Sequence, residues 1–158
     1  MTVIPSDRMI VRERPAGALC GSSRTLAIGA AGGLTQFGAF VEILPPGSRS
    51  SIKHWHSAED EMVYVLEGEI TLIEGATENL LRPGDAATFR AGDPVGHVFE
   101  NRGAAATRCL VVGTRAAVDT ITYPDNDRIL HRDRPRGTEH WTDGQGRPAT
   151  NPYLEKGT

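Results

Sequence analysis

The chain has 158 residues, enough for one domain with a hydrophobic core, and a formal net charge of -3. This slight acidic excess offers no cationic surface for a phosphate backbone, so nucleic acid is not expected as a partner. No apolar stretch approaches the length of a membrane span, and the first residues lack the charged-then-apolar pattern of a signal peptide. We therefore expect a cytoplasmic protein without a membrane partner.

Short strands separated by turns make up the predicted secondary structure. The 18 glycines and 10 prolines are many for this length, and no long stretch has helical period. In chain order, strands are predicted over residues 9–14, 24–28, 36–44, 50–56, 61–66, 69–74, 86–89, 96–100 and 108–114, with an apolar pair at 80–81. Many short strands at regular spacing indicate an all-β sandwich or barrel.

The Gly-rich segment 29–33 resembles a phosphate-binding loop only superficially. It lacks the Gly-Lys-Ser/Thr of a P-loop, and no helix is predicted after it. We interpret this segment as a turn.

The composition changes after Tyr123, where the chain becomes polar and rich in Arg, Gly and Pro. We predict a β-barrel region over residues 1–122, with its motif core at 47–113, and a mostly irregular C-terminal arm over residues 123–158. The arm cannot build a core of its own. Because Trp141 is costly to leave in water, an arm packed on the barrel or on a dimer partner is favoured over a disordered one.

Three histidines and one glutamate form the candidate metal site. His54 and His56 lie two residues apart, so on a strand both point to the same face. Glu61 follows shortly, and His97 comes further along the chain. Three imidazoles and one carboxylate approach a complete set of ligands for one divalent transition metal.

These residues match the two motifs of the cupin family, which the chain resembles. The first motif comprises Gly47, His54, His56, Glu61 and Gly68, with a spacer before His54 that is one residue longer than usual. The second comprises Gly84, Asp85, Gly92, His97 and Asn101. The second motif departs from the family twice: Arg90 stands where Pro is usual, and two extra residues separate Gly92 from His97.

The resemblance implies a double-stranded β-helix, a jelly roll of two packed sheets closed into a barrel. It also implies one divalent transition metal inside the barrel, held by His54, His56, Glu61 and His97. A homodimer formed through sheet edges is expected, as in many small cupins. The tail that begins at Tyr123 looks like that of a subgroup of small single-domain cupins loosely labelled sugar-phosphate-isomerase-like.

Several roles stay open at this point. The insertion before His97 could move this residue to the rim, which would leave a His-His-Glu triad. Glu61 is also the candidate catalytic residue, as a ligand that leaves the metal to carry a proton. Phe99 shares the inward parity of His97 and is a candidate substrate-binding residue of the cavity wall, and Gln36 is a second candidate from the loop beside the Gly-rich segment.

A cationic rim is a further hypothesis, weighed against ordinary solvated side chains. Its members would be Arg49, Lys53, Arg90 and Arg102.

We carry three functional hypotheses, because this ligand set accepts Fe, Mn, Zn or Ni alike. The leading one is a metal-dependent enzyme on a small sugar-like or carboxylate molecule, of isomerase or lyase type, in which the metal polarises a carbonyl or hydroxyl. The second is a dioxygenase that uses O2. The third is a non-catalytic small-molecule-binding cupin.

Overall fold

The structure is a computed structural model that describes residues 3–154, and it consists almost entirely of β-strands. The strands of these residues, in chain order, are β1 (Val11–Arg14), β2 (Ser23–Leu26), β3 (Phe37–Leu44), β4 (Trp55–His56), β5 (Glu61–Glu67), β6 (Ile70–Glu74), β7 (Thr77–Leu81), β8 (Ala86–Phe89), β9 (His97–Glu100), β10 (Thr107–Thr114), β11 (Val118–Tyr123), β12 (Arg128–Asp133) and β13 (Thr138–Thr142). One short helix, α1 (Ile28–Ala31), follows β2. Within the described part, no helix is long and apolar enough to cross a membrane.

Two layers of antiparallel strands enclose the interior. One layer is a six-stranded sheet in the order β1-β2-β3-β10-β5-β8. The other contains the sheets β7-β6-β9 and β13-β12-β11-β4, which are linked where Arg49 bridges Glu100 and His54 bridges His97. This is the arrangement of a jelly roll, although across residues 3–154 the ladders do not close into a complete barrel.

Strand register decides which side chains face the interior. Along β5, Val63 and Val65 are buried whereas Met62 and Tyr64 are exposed, as the period of two requires. Glu61 has the parity of the two valines and therefore faces inward at the end of the strand. The main core consists of Leu44, Val63, Val65, Ile70, Leu72, Phe99, Cys109 and Val111.

The C-terminal arm is more regular than the sequence indicated. β12 pairs along the whole of β11, and β13 pairs with β12. The arm therefore contains two strands that the sequence did not predict, although most of its described residues lie outside strands. The edge of β11 provides backbone hydrogen-bond partners for β12, and this pairing lets a mostly polar segment form a strand. Residues 1–2 and 155–158 of the two predicted regions lie outside the described residues, and the boundary after residue 122 stays a prediction.

Two local expectations also need correction. The predicted strand over 50–56 is regular only at β4, because the preceding residues contact β9 through isolated bridges. The Gly-rich segment 29–33 is not a turn throughout, since α1 covers its first residues. At the position of Gly29 a Cβ would lie 3.0 Å from the Ala39 backbone nitrogen, so a residue without a side chain lets α1 pack on β3.

A second buried cluster fixes the arm to the fold. Ile121, Tyr123 and Leu130 form it, and Trp141 packs against it. We expect Ile121→Ala to lower the free energy of unfolding by about 2–5 kcal/mol, because it leaves a cavity between β11 and β12. The matched control on the same strand is Val118→Ala, since Val118 is 59% exposed and its loss is expected to cost under about 0.5 kcal/mol. Urea unfolding measures both, and equal losses would contradict this packing.

Candidate metal centre

The four predicted ligands converge at one end of the interior. Ligand atoms of His54, His56 and Glu61 all lie within 4.8 Å of one another. The ring of His54 is 5.1 Å from that of His56 and 5.0 Å from that of His97, measured between centroids. Nε2 of His97 lies 3.4 Å from Oε1 of Glu61. One ion could therefore contact His54, His56 and Glu61 together, and His97 lies next to this group through its approach to Glu61.

Backbone pairing holds the two halves of the site together. The His54 N–H donates to the His97 carbonyl at 3.1 Å, and the His97 N–H donates to the His54 carbonyl at 2.9 Å. The two extra residues before His97 lie in the loop between β8 and β9, so His97 opens β9 with its ring inside. The insertion does not move this histidine to the rim.

Hydrogen bonds set the tautomers of the first two histidines. Nδ1 of His54 lies 2.9 Å from the carbonyl oxygen of Ile52, which can only accept, so this nitrogen carries the proton. Nδ1 of His56 lies 2.7 Å from Oδ2 of Asp119 and donates to it in the same way. Both rings therefore keep the Nε2 lone pair free for an ion.

His97 offers the clearest test of whether the site fits a metal. It is 2% exposed, and neither of its ring nitrogens has a hydrogen-bond partner among the described residues. Its ring stacks on Phe89 at 3.5 Å between centroids, with 8° between the planes. A buried imidazole without partners is costly, and coordination through Nε2 would satisfy it. The donor set therefore fits a divalent transition metal.

The charges around the site suit metal ligands as well. Burial lowers the pKa of His54 to about 4, and the neighbouring imidazole of His97 adds to this effect, so His54 is neutral near pH 7. For Glu61, burial acts to raise the pKa, but the nearby imidazole of His97, whose Nε2 lies 3.4 Å from Oε1, and the imidazoles of His54 and His56 outweigh burial and lower the pKa. A neutral imidazole and an ionised carboxylate are the forms that bind metals.

Asp119 supports the site and carries no signal in the sequence. Its side chain is fully buried, and it accepts hydrogen bonds from His56, from Oγ of Ser57 at 3.1 Å and from the Ala58 N–H at 2.9 Å. Burial acts to raise its pKa, but these hydrogen bonds outweigh burial and lower the pKa. Asp119 therefore stays ionised and orients His56 from behind.

A second group of residues, His56, Glu59 and Asp119, also lies within ligand distance. Oε1 of Glu59 already accepts from Arg134 at 2.7 Å and from the Ala116 N–H at 3.0 Å. Nδ1 of His56 is engaged with Asp119, so this group supports His56 and does not form a separate site.

An apolar cavity of about 190 Å³ opens beside the ligands. Phe99 lies in its wall, where the sequence placed it, and is a buried core residue. Gln36 does not line this cavity in the described structure. Its side chain is exposed ahead of β3, and its carbonyl accepts from the Arg115 N–H, so its predicted contact with substrate gains no support here.

Glu42 is a further residue of this cavity that the sequence did not single out. It alternates with Phe40 and Leu44 on β3, so the period of two turns it inward, and that parity was the available signal. Within residues 3–154 no hydrogen bond or ion pair holds its carboxyl group. Burial raises the pKa of Glu42 to about 7, with Arg14 lowering it and Glu61 raising it.

The raised pKa of Glu42 predicts a measurable dependence of stability on pH. Because the folded pKa is about 7 and the ordinary value 4.5, the native state binds more protons than the unfolded state between these limits. The wild-type protein therefore loses about 3 kcal/mol relative to Glu42→Gln as pH rises from 4.5 through 7. Urea unfolding of both metal-free proteins at several pH values measures this difference. A difference that stays constant across the range would show that Glu42 is not desolvated.

Comparisons with known proteins agree with this architecture. A family model described as the cupin domain matches residues 40–113. The crystal structure of a cupin-superfamily sugar phosphate isomerase from Silicibacter pomeroyi DSS-3 is 36% identical, with a TM-score of 0.85, and covers 98% of this chain and 100% of its own. No curated protein matches the chain by sequence.

Two more solved structures extend the likeness. A protein from Acidithiobacillus ferrooxidans ATCC 23270, provisionally assigned as a sugar phosphate isomerase, is 28% identical with a TM-score of 0.81, and the match covers 96% of both chains. A predicted oxalate decarboxylase from Thermotoga maritima is 23% identical with a TM-score of 0.60, covering 73% of this chain and 100% of its own, and shows the fold alone. The jelly roll expected from the two motifs is confirmed. The chain belongs to the cupin superfamily.

Proposed function

We propose that this protein is a metal-dependent enzyme that isomerises or cleaves a small oxygen-rich molecule. One observation carries the proposal: His54, His56 and Glu61 converge next to the buried imidazole of His97 beside a cavity, with the Nε2 atoms of His54 and His56 left free. Four protein ligands leave one or two positions of a five- or six-coordinate ion open, which is typical of catalytic and not of closed structural sites. A divalent ion held there would polarise a carbonyl or hydroxyl oxygen of the substrate.

Glu42 is the residue best suited to move a proton in this cavity. Its carboxyl group lines the same space as Glu61 and is not tied to a hydrogen-bond partner in the described residues. A carboxyl group whose pKa lies near 7 can both accept and donate a proton at neutral pH. The lowered pKa of Glu61 favours a permanent ligand, so its catalytic role remains the weaker assignment.

The relatives support an isomerase more than the alternatives. The protein from Silicibacter pomeroyi DSS-3, which matches almost the whole of this chain, is named a sugar phosphate isomerase. The name of that protein does not identify the substrate of this one. The dioxygenase and the non-catalytic binding protein therefore stand as alternative outcomes of the experiment.

The test follows proton exchange in full-length protein loaded with Fe²⁺, Mn²⁺, Zn²⁺ or Ni²⁺ in D₂O without oxygen. Sugars, sugar phosphates and hydroxy acids are screened by NMR for deuterium at carbon beside a carbonyl. We expect exchange with at least one substrate, its loss on chelation, and a decrease of about 100-fold or more in Glu42→Gln. Glu67→Gln on the exposed end of β5 is the control and should leave the rate unchanged.

Two results would reject the proposal. Turnover that requires O2 would identify a dioxygenase. Saturable binding without exchange or turnover would identify a binding protein.

A further inference from the structure

A second cavity lies outside the metal centre and joins it. This outer cavity has a volume of about 380 Å³ and shares Phe40, Glu42, Glu61 and Val111 with the cavity beside the ligands. Its remaining wall comes from β1, β2, α1, the start of β3, the end of β10 with Arg115, and the side chains of Glu59 and Arg134. A molecule that reaches the ligands from this side must pass through the outer cavity.

The passage between the cavities runs beside the four shared residues, and two glycines line its outer side. Gly113 lies directly opposite Glu61 across β5 and β10, and Gly38 lies opposite Gly113 across β10 and β3. Interior positions on neighbouring strands normally carry side chains that fill this space. Because both positions lack a side chain, the guanidinium of Arg115 can lie over Gly38 and the Asp60 carbonyl can lie beside Gly113.

Arg12 reaches the outer cavity from β1. It is paired with Thr25 on β2, and Thr25 is paired with Glu42 on β3, so the three residues form one row on the interior face. Arg14 has the same parity as Arg12, but its guanidinium is bound to the backbone carbonyls of residues such as Gly21 and Ser50. Within residues 3–154, Arg12 has no carboxylate partner.

Arg115 reaches the same cavity from the end of β10. Its guanidinium lies over Gly38, where a Cβ would stand 3.6 Å from Nε and 3.7 Å from Nη2. Its one side-chain hydrogen bond in the described structure goes to the Leu34 carbonyl at 3.4 Å. The third arginine of the cavity, Arg134, is already neutralised by Glu59 at 2.7 Å. Two uncompensated guanidinium groups therefore face this space.

The cationic rim suggested by the sequence is not formed by the expected residues. Arg49 pairs with Glu100, Lys53 with Asp125 and Arg102 with both Glu78 and Glu100. Arg90 lines a different cleft, beside Trp55. Each of these cations lies away from the passage or is matched by a carboxylate.

We propose that Arg12 and Arg115 form an anion subsite in the outer cavity that holds a phosphate group of the substrate, while the remainder of the substrate extends past Phe40 and Val111, which line both cavities, to the metal centre. This inference rests on the proposed function, because it assigns one end of that substrate. Planar guanidinium groups bind phosphate oxygens through paired hydrogen bonds. A phosphate monoester carries nearly two negative charges at pH 7, which match the charges of two unpaired arginines. A single carboxylate would neutralise only one of the two arginines.

The nearby acids do not cancel this positive charge. Glu59 is matched by Arg134, and Glu61 faces the imidazoles of the metal centre. Glu42 remains as the acid within the row of Arg12, and burial raises the pKa of its carboxyl group.

The test uses inorganic phosphate and the metal-free full-length protein, so that phosphate cannot bind a metal. Calorimetric titration at pH 7 and low salt is expected to give roughly millimolar affinity. Arg12→Ala and Arg115→Ala should each weaken it about 10-fold or more. Arg24→Ala is the matched control, since Arg24 neighbours Thr25 on the opposite face of β2 and pairs with Glu13 at 3.4 Å. It should bind phosphate as the wild type does.

Acetate provides the second arm. Binding at least about 10-fold weaker than that of phosphate supports a dianion subsite. Equal binding of both anions, or equal phosphate affinity in all four proteins, would overturn the assignment. Arg12→Lys separates loss of charge from loss of shape and should restore part of the affinity. This test measures binding alone, so the two proposals can fail separately. Phosphate binding by a protein that shows no activity in the proton-exchange experiment would reject the proposed function alone. Turnover of an uncharged sugar in that experiment, without phosphate binding here, would reject the subsite alone.

Discussion

Asp119→Asn is expected to weaken metal binding by about 10- to 100-fold while leaving most of the fold intact. The asparagine oxygen can keep the hydrogen bonds from Ser57 and Ala58 that Oδ1 of Asp119 now accepts. Its NH₂ group then faces Nδ1 of His56, which must accept and move its proton to Nε2. A protonated Nε2 cannot bind an ion.

Calorimetric titration of the metal-free variant with Zn²⁺ measures this effect, and urea unfolding measures the fold. Asp133→Asn on β12 is the control, because Asp133 pairs with Arg136 near the surface. Asp119→Ala should instead lose about 3–5 kcal/mol of stability, since it leaves His56, Ser57 and Ala58 without a partner. Unchanged affinity in Asp119→Asn would mean that His56 does not bind through Nε2.

His97→Ala is expected to remove the stabilisation that a metal gives to the fold. With metal at 100 times Kd, the free energy of unfolding of the wild-type protein should rise by about 2.7 kcal/mol. In the variant the rise should disappear over the same concentrations, because a ligand is missing. In the metal-free variant, the lost packing of the ring on Phe89 lowers the free energy of unfolding. The substitution also removes two buried nitrogens without partners, which offsets part of this loss.

The control for this experiment is His140→Ala. His140 is exposed and stacks on His131 at 4.6 Å, away from the site. Its loss should leave the metal-dependent rise unchanged. A full rise in His97→Ala would place the ion on the other three residues and leave the unpaired nitrogens of His97 unexplained.

The sequence predicted the strands whose side chains alternate. The ends of β5 and β10 were predicted to within about one residue, because apolar residues at every second position predict a strand with one face toward the core. β11 was not predicted, and neither were β12 and β13, which follow it. Their residues are mostly polar, and only hydrogen bonding to the edge of β11 makes them strands, which is a tertiary effect.

The candidate site was predictable where the ligands follow a short motif. His54 and His56 lie two residues apart in the chain, so their convergence is local. Asp119 comes from a strand that is distant in sequence, and Glu42 looks like an interruption of an apolar segment until register shows which face it occupies. Arginines that could bind an anion are equally hard to identify from the sequence, because the sequence does not show which of them are paired with carboxylates.

The most direct test of the account is to count the imidazoles around a bound ion. Full-length protein freed of metal and loaded with one Zn²⁺ per chain can be measured by X-ray absorption, beside His54→Ala and His56→Ala. In the wild-type protein we predict one ion per chain with three imidazole ligands and one carboxylate. In each variant we predict one imidazole ligand fewer and weaker metal binding. Fewer than three imidazoles in the wild-type protein, or spectra that the substitutions leave unchanged, would contradict a metal held by His54, His56, Glu61 and His97.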